Sequence, residues 1–193
     1  MQYRSFPPLS RRVLVRAVLG AVAAPAPFAA LAGFNFFTSE YTASREELQA
    51  QIAKRFPVQQ RYAEIFTVEL RDPQLGLEAG ANRAAITALL SIASPLLRPS
   101  KVEGVVSVSS ALRYDAAARA LRLDQPRAER LELQGVTGRD AERLQQIGAV
   151  VAQELLRDQP LRTFTAEELT VGRKTYEIGD ITVLRDGIKV ELK

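Results

Sequence analysis

The chain has 193 residues, 47% of them apolar and 25% charged, and contains neither Cys nor His. This is the composition of a packed globule, and it excludes disulfide scaffolds, the common zinc, haem and iron–sulfur sites, and Ser-His-Asp or Cys-His catalysis. The net charge of +4 comes wholly from Arg4, Arg11, Arg12 and Arg16, since residues 34–193 carry 22 groups of each sign, a balance that argues against a phosphate-binding surface for nucleic acid.

Residues 1–16 are basic, and Val13 to Ala32 is apolar except for Arg16, ending in Ala30-Leu31-Ala32. That order of basic, apolar and small-residue regions predicts a secretory signal cleaved before Gly33. The alternative is a membrane anchor, but Pro25 and Pro27 interrupt the run and leave fewer than the ~20 good spanning residues a helix needs. Ser10-Arg11-Arg12-Val13-Leu14-Val15-Arg16 resembles a twin-arginine signal. Paired arginines also occur in ordinary signals, so both export routes stay open. Leu31-Ala32-Gly33 resembles the start of a lipobox, yet Phe34 stands where the acylated Cys belongs. Residues 1–33 are thus expected to be an export signal, and residues 34–193 a single, non-lipidated periplasmic α+β domain.

Within that domain, Thr42 to Phe56 is predicted as a first helix. Ser44 and Glu47 have capping-box spacing, and Leu48, Ile52 and Phe56 share one face before Pro57 ends the segment. From Tyr62 to Leu133 the apolar period falls to two. Phe66 and Val68 open one run, Asp72-Pro73 is expected to turn the chain, and Ala84, Ile86, Ala88, Leu90 and Ile92 form the next. Val102, Gly104, Val106, Val108 and Leu112 follow, then a turn over Tyr114–Arg119, then Leu121, Leu123, Leu131 and Leu133. This pattern predicts an antiparallel meander with one buried face. The Arg83–Ile92 stretch also reads as a short Ala- and Leu-rich helix. Gly138 to Asp158 is predicted as a second helix with Leu144, Ile147, Val151 and Leu155 on one face. The chain should end in a hairpin around Arg185-Asp186-Gly187.

The expected architecture is therefore a curled antiparallel β-sheet wrapped against two long helices. Small residues at Ala84, Ala88, Gly104 and Gly148 would leave room for an acyl chain between sheet and helices, although small residues also serve close packing. Leu48, Ile52, Phe56, Phe66, Val68, Ile86, Val106, Val108, Leu144, Ile147 and Val151 are the candidate apolar contacts of such a groove. A filled core with partners on an edge strand is the alternative. A carboxylate hydrolase using Asp115 with Asp124, or Glu167 with Glu168, is a third reading, weakened because these acids sit beside turns or a helix start, where solvated carboxylates are common. Arg113, Arg119, Arg122, Arg127 and Arg130 are interleaved with acids, which favours a solvated sheet face over an anion-binding patch.

The segment from Tyr41 to Leu48, with Lys54-Arg55-Phe56-Pro57, resembles the opening of the YceB-like family of bacterial envelope lipoproteins. Leu112-Arg113-Tyr114-Asp115 with Ala120-Leu121-Arg122-Leu123 resembles that family's central hairpin, and Pro160-Leu161 also fits. The resemblance spans about residues 41–192. It implies a fold similar to one module of the tubular lipid-binding superfamily, and it names no catalytic residue. The expected function is non-enzymatic binding of a lipid or other apolar ligand in the periplasm, without cofactor, metal or nucleic acid. Peripheral membrane contact and an envelope protein partner are the further interactions it allows.

Overall fold

A computed structural model describes residues 33–35, 40–62, 64–171 and 173–193. The predicted export signal lies outside the described residues except for Gly33. The elements in chain order are β1 (Gly33–Asn35), β2 (Glu40–Ser44), α1 (Arg45–Ala53), β3 (Val58–Tyr62), β4 (Phe66–Glu78), β5 (Arg83–Ala93), β6 (Lys101–Asp115) and β7 (Ala120–Leu133). Then come α2 (Gly138–Leu156), β8 (Pro160–Thr163), β9 (Thr170–Val171), β10 (Lys174–Thr175), β11 (Ile178–Val183) and β12 (Gly187–Leu192).

Strands β3 to β8 form one antiparallel sheet in sequence order, so the predicted meander is present. A second sheet has the order β1-β2-β12-β11, and β9 pairs with β10. The Arg83–Ile92 run is a strand: Ile86, Ala88, Leu90 and Ile92 point into the core while paired to Val108, Val106, Gly104 and Val102 of β6. Period-two burial against neighbours on both sides outweighs the helix propensity of Ala and Leu.

The sheet is strongly curled. Helix α1, about 14 Å long at 1.5 Å per residue, packs on both β4 and β8. Four strand spacings separate those two in the sheet, roughly 19 Å if it were flat. Helix α2 packs mainly on β7 and also reaches β3, β4 and β6, so it lies along the concave face. The fold is α+β, a curled antiparallel half-barrel with two helices. Only α2, with 19 residues, is long; α1 has nine. Among the described residues no helix is long and apolar enough to cross a membrane.

Three local expectations need correction. The predicted helix from Thr42 to Phe56 begins only at Arg45, because Glu40–Ser44 pairs as a strand with β12, Thr42 opposite Lys189 and Ala43 opposite Ile188. It ends at Ala53, which leaves Phe56 off the helix though still against the core. Asp72-Pro73 does not turn the chain. β4 runs through it with a bulge between Arg71 and Gln74, and Asp72 adopts a left-handed φ of 53°. The bulge moves the inward face from Val68 and Leu70 to Pro73 and Leu75. Its backbone is braced by α1: Gln49 donates from Nε2 to the Pro73 carbonyl (2.7 Å) and accepts at Oε1 from the Leu75 amide (2.7 Å). Such bulges bend a strand, here where the sheet curls round α1. Lastly, α2 stops at Leu156, and Asp158 takes a φ of 60° just before β8.

Candidate functional site

The predicted groove residues fall into two groups. Leu48, Ile52, Val68, Ile86, Val106, Val108 and Val151 are buried in one core cluster, with Phe56 packed against it. Their burial is core packing between α1, α2 and the concave face. Small residues in this region bring elements close together. A Cβ on Gly148 would lie 2.9 Å from Leu131 Cδ2 and 3.3 Å from Ile92 Cδ1, so α2 rests directly on the sheet. A Cβ on Gly104 would come within 2.1 Å of the Glu132 carbonyl oxygen on β7. Ala84 and Ala88 are likewise sealed by neighbours.

Phe66, which also packs against this core, and the buried Leu144 lie at one end of the half-barrel. The β3–β4 turn, the β5–β6 connection (94–100) and the β7–α2 connection (134–137) meet there, as the registers Tyr62 to Phe66, Ala93 to Lys101 and Gly104 to Leu133 require. Between them lies a groove of about 380 Å³ walled by Phe66, Leu96, Leu97, Val102, Val136 and Leu144. Arg98, Asp140 and Arg143 also line it. Its volume lies at the lower end of the ~300–1,000 Å³ range of small-molecule pockets. Leu96 is 69% exposed, and the other large exposed apolar side chains among the described residues are Ile65, Ile147 and Val150. Ile65 belongs to the β3–β4 turn, next in the chain to Phe66. Ile147, expected on the apolar face of the second helix as a groove contact, is instead exposed on α2 next to Gly148. Leu96 and Leu97 lie outside every periodic apolar run of the sequence. Their signal was an apolar pair stranded in a short connection between Pro95 and Pro99.

A second constellation was invisible to periodicity. Arg162 of β8 is buried, and it binds Glu47 Oε1 of α1, Glu168 Oε1 (2.7 Å) and the Tyr41 hydroxyl of β2 (2.8 Å). Its guanidinium carbon lies 5.7 Å from the Tyr41 ring centre and 5.4 Å from that of Phe164. Tyr41 and Phe164 meet edge to face, with ring centres 5.6 Å apart. Burial pushes the Tyr41 phenol above its ordinary value, outweighing the opposite pull of Arg162, while Glu47 and Glu168 add to the rise. The cluster ties β2, α1, β8 and the turn after it together across the two sheets. Its formation alters the predicted capping box: Ser44 accepts from the Glu47 amide (3.2 Å), but the Glu47 carboxylate turns to Arg162 instead of reaching back.

The four acids considered for hydrolysis each have a structural partner. Asp115 accepts from Arg122 Nε (2.8 Å) and the Ala118 amide (3.1 Å), and these two contacts hold its carboxyl below the usual range. Asp124 lies 3.9 Å from Arg113. Glu168 binds Arg162 and the Thr165 amide, and Glu167 is exposed beside them with its carboxyl lowered by backbone and Thr165 hydrogen bonds. Among the described residues no cluster of acids could hold a metal ion. The chain matches no protein-family model and no curated protein. Hollows of about 390 Å³ also lie over Thr87, Val105 and Ser107 and beside Arg45, Gln49 and Leu75, each with a single apolar side chain in its lining against the six of the mouth groove.

Proposed function

We propose that this protein is a non-enzymatic binding protein of the bacterial periplasm that holds a lipid or other amphiphile, its apolar part in the mouth groove. The observation that carries the reading is the groove itself: about 380 Å³, walled by six apolar side chains, among them the exposed Leu96. Exposed apolar surface gathered around a concavity is a mark of a binding site. At ~0.8 kcal/mol per buried methylene, about eight methylenes would supply roughly 6 kcal/mol, a dissociation constant of tens of micromolar. The resemblance to YceB-like lipoproteins and to a tubular lipid-binding module belongs to the same proposal, supported by a curled antiparallel sheet with helices on its concave face. So do export, cleavage before Gly33 and the absence of a lipid anchor, which rest on the sequence pattern of residues 1–34.

The binding place in this reading is the mouth and not the sheet–helix interior. Native mass spectrometry of protein purified from the periplasm should show a one-to-one complex with a small amphiphile. Leu96→Ser, at an exposed position, should weaken that complex without altering the fold. An empty protein that also fails to take up added amphiphile overturns the proposal. A second reading, an envelope interaction module with a filled core, is favoured by the close seating of Gly148 on Leu131 and Ile92. Its partner would add to the edge of β3, the end strand of the six-stranded sheet among the described residues.

A further inference from the structure

We infer that the mouth groove selects amphiphiles with an anionic headgroup, a carboxylate or phosphate, held by Arg143 and Arg98. The inference rests on the proposed amphiphile-binding role and adds the chemistry of the head.

The groove has a divided lining. Phe66, Leu97, Val102 and Leu144 offer no hydrogen bond from their side chains, so a polar head would lose its hydration against them without replacement. The head must therefore stay at the polar border, where two guanidiniums face one carboxylate, Asp140. Asp140 lies in the first turn of α2, where a negative charge already complements the helix's positive end. Arg143 follows it by one turn, is exposed, and forms no ion pair among the described residues. Many other arginines of the chain are committed: Arg71 to Glu103, Arg113 to Asp158, Arg122 to Asp115, Arg162 to Glu47 and Glu168. Arg98 is anchored through Nη1 to the carbonyls of Pro95 (3.1 Å) and Leu97 (2.9 Å), which fixes its guanidinium on the connection while Nη2 keeps its donors. A guanidinium presents paired donors that match the oxygens of a carboxylate or phosphate. Two such groups beside an apolar hollow complement one class of occupant, a chain with an anionic end.

The experiment compares decanoate, decyl phosphate, decanol and decylammonium by calorimetry below their aggregation limits, with acetate and inorganic phosphate as chain-free controls. Decanoate and decyl phosphate should bind about five- to tenfold more tightly than decanol, with decylammonium weakest, and added salt should narrow the gap. Their order tells a carboxylate preference from a phosphate one. Arg143→Gln and Arg98→Gln, both at exposed positions, should bring decanoate down to the level of decanol and leave decanol unchanged. Equal binding of decanoate and decanol, or substitutions that weaken both alike, overturns the headgroup inference and leaves the amphiphile reading standing. Failure of every decyl compound to bind the folded protein overturns both. Inorganic phosphate binding as tightly as decyl phosphate makes the place an anion site and also overturns both.

Discussion

Replacing Arg162 by Met tests whether the buried arginine holds the two sheets together. Met keeps most of the length and apolar contact of the stem but removes the charge and every donor. The Arg162 side chain is 7% exposed, against 22% for Glu47 and 35% for Glu168. Glu168 has enough exposure to recover solvation, so its share of the loss should stay below about 1 kcal/mol. Glu47 has less escape: its Oε2 is already buried without a partner among the described residues, and once Arg162 is gone only the Tyr41 hydroxyl at 3.5 Å remains for Oε1. Removing one member of a buried pair costs ~3–5 kcal/mol, and the partial exposure of Glu47 places this case near about 3 kcal/mol. For a domain of this size that is a fall in Tm of roughly 6–12 °C. Urea unfolding followed by circular dichroism measures it, and an unchanged slope would assign the shift to stability. Arg130→Met is the control, since its ion pair with Glu132 is exposed and should be worth under about 0.5 kcal/mol. In Arg162→Met with Glu47→Gln the abandoned carboxylate becomes neutral, so part of the loss should return. The reasoning fails if Arg162→Met costs no more than Arg130→Met, or if the two substitutions in the cluster simply add.

Two further outcomes follow from the same geometry. Gly104→Ala should destabilise severely, because its Cβ meets the Glu132 carbonyl backbone at 2.1 Å, whereas Gly148→Ala should change stability by less than about 1 kcal/mol, helix propensity offsetting a contact with the movable tip of Leu131; equal losses in thermal denaturation would refute this. The Asp115 carboxyl is held below its ordinary value of 3.8 by the Ala118 amide and then by Arg122. A lowered folded value means that its contribution is complete above 3.8 and lost as pH falls through the lowered value. The Tm gap between the parent and Asp115→Asn should therefore be widest near neutral pH and should shrink below about pH 4. A gap that stays constant down to about pH 2 contradicts the assignment.

Much of the scaffold could be read directly from residue order. The alternation along β5 and β6 encodes a sheet with one buried face. The spacing of Leu144, Val151 and Leu155 encodes the buried side of α2, and Val183 with Gly187 and Ile188 encodes the last hairpin. These features rest on burial of a face along one continuous segment, so a local pattern is enough to specify them. The candidate site was legible only in part. Phe66 and Leu144 stand on periodic apolar runs, but most of the other residues of those runs pack in the core, and Leu96, Leu97, Arg98 and Arg143 belong to none of them. The reason is that an apolar stripe has the same spacing whether it meets a ligand or a neighbouring element.

Other features depend on partners far away in the chain. Glu40–Ser44 is a strand because β12 pairs with it nearly 150 residues later. The Asp72-Pro73 bulge persists because Gln49 supplies the hydrogen bonds that the ladder loses there. Glu47 leaves its cap for an arginine 115 residues away. By itself the sequence determined the period of each buried face, the location of the net charge and the chemistries excluded by the missing His and Cys. Tertiary structure decided which strands meet, which charges are buried and where apolar side chains remain uncovered, because each of those outcomes is set by a partner that no local spacing records.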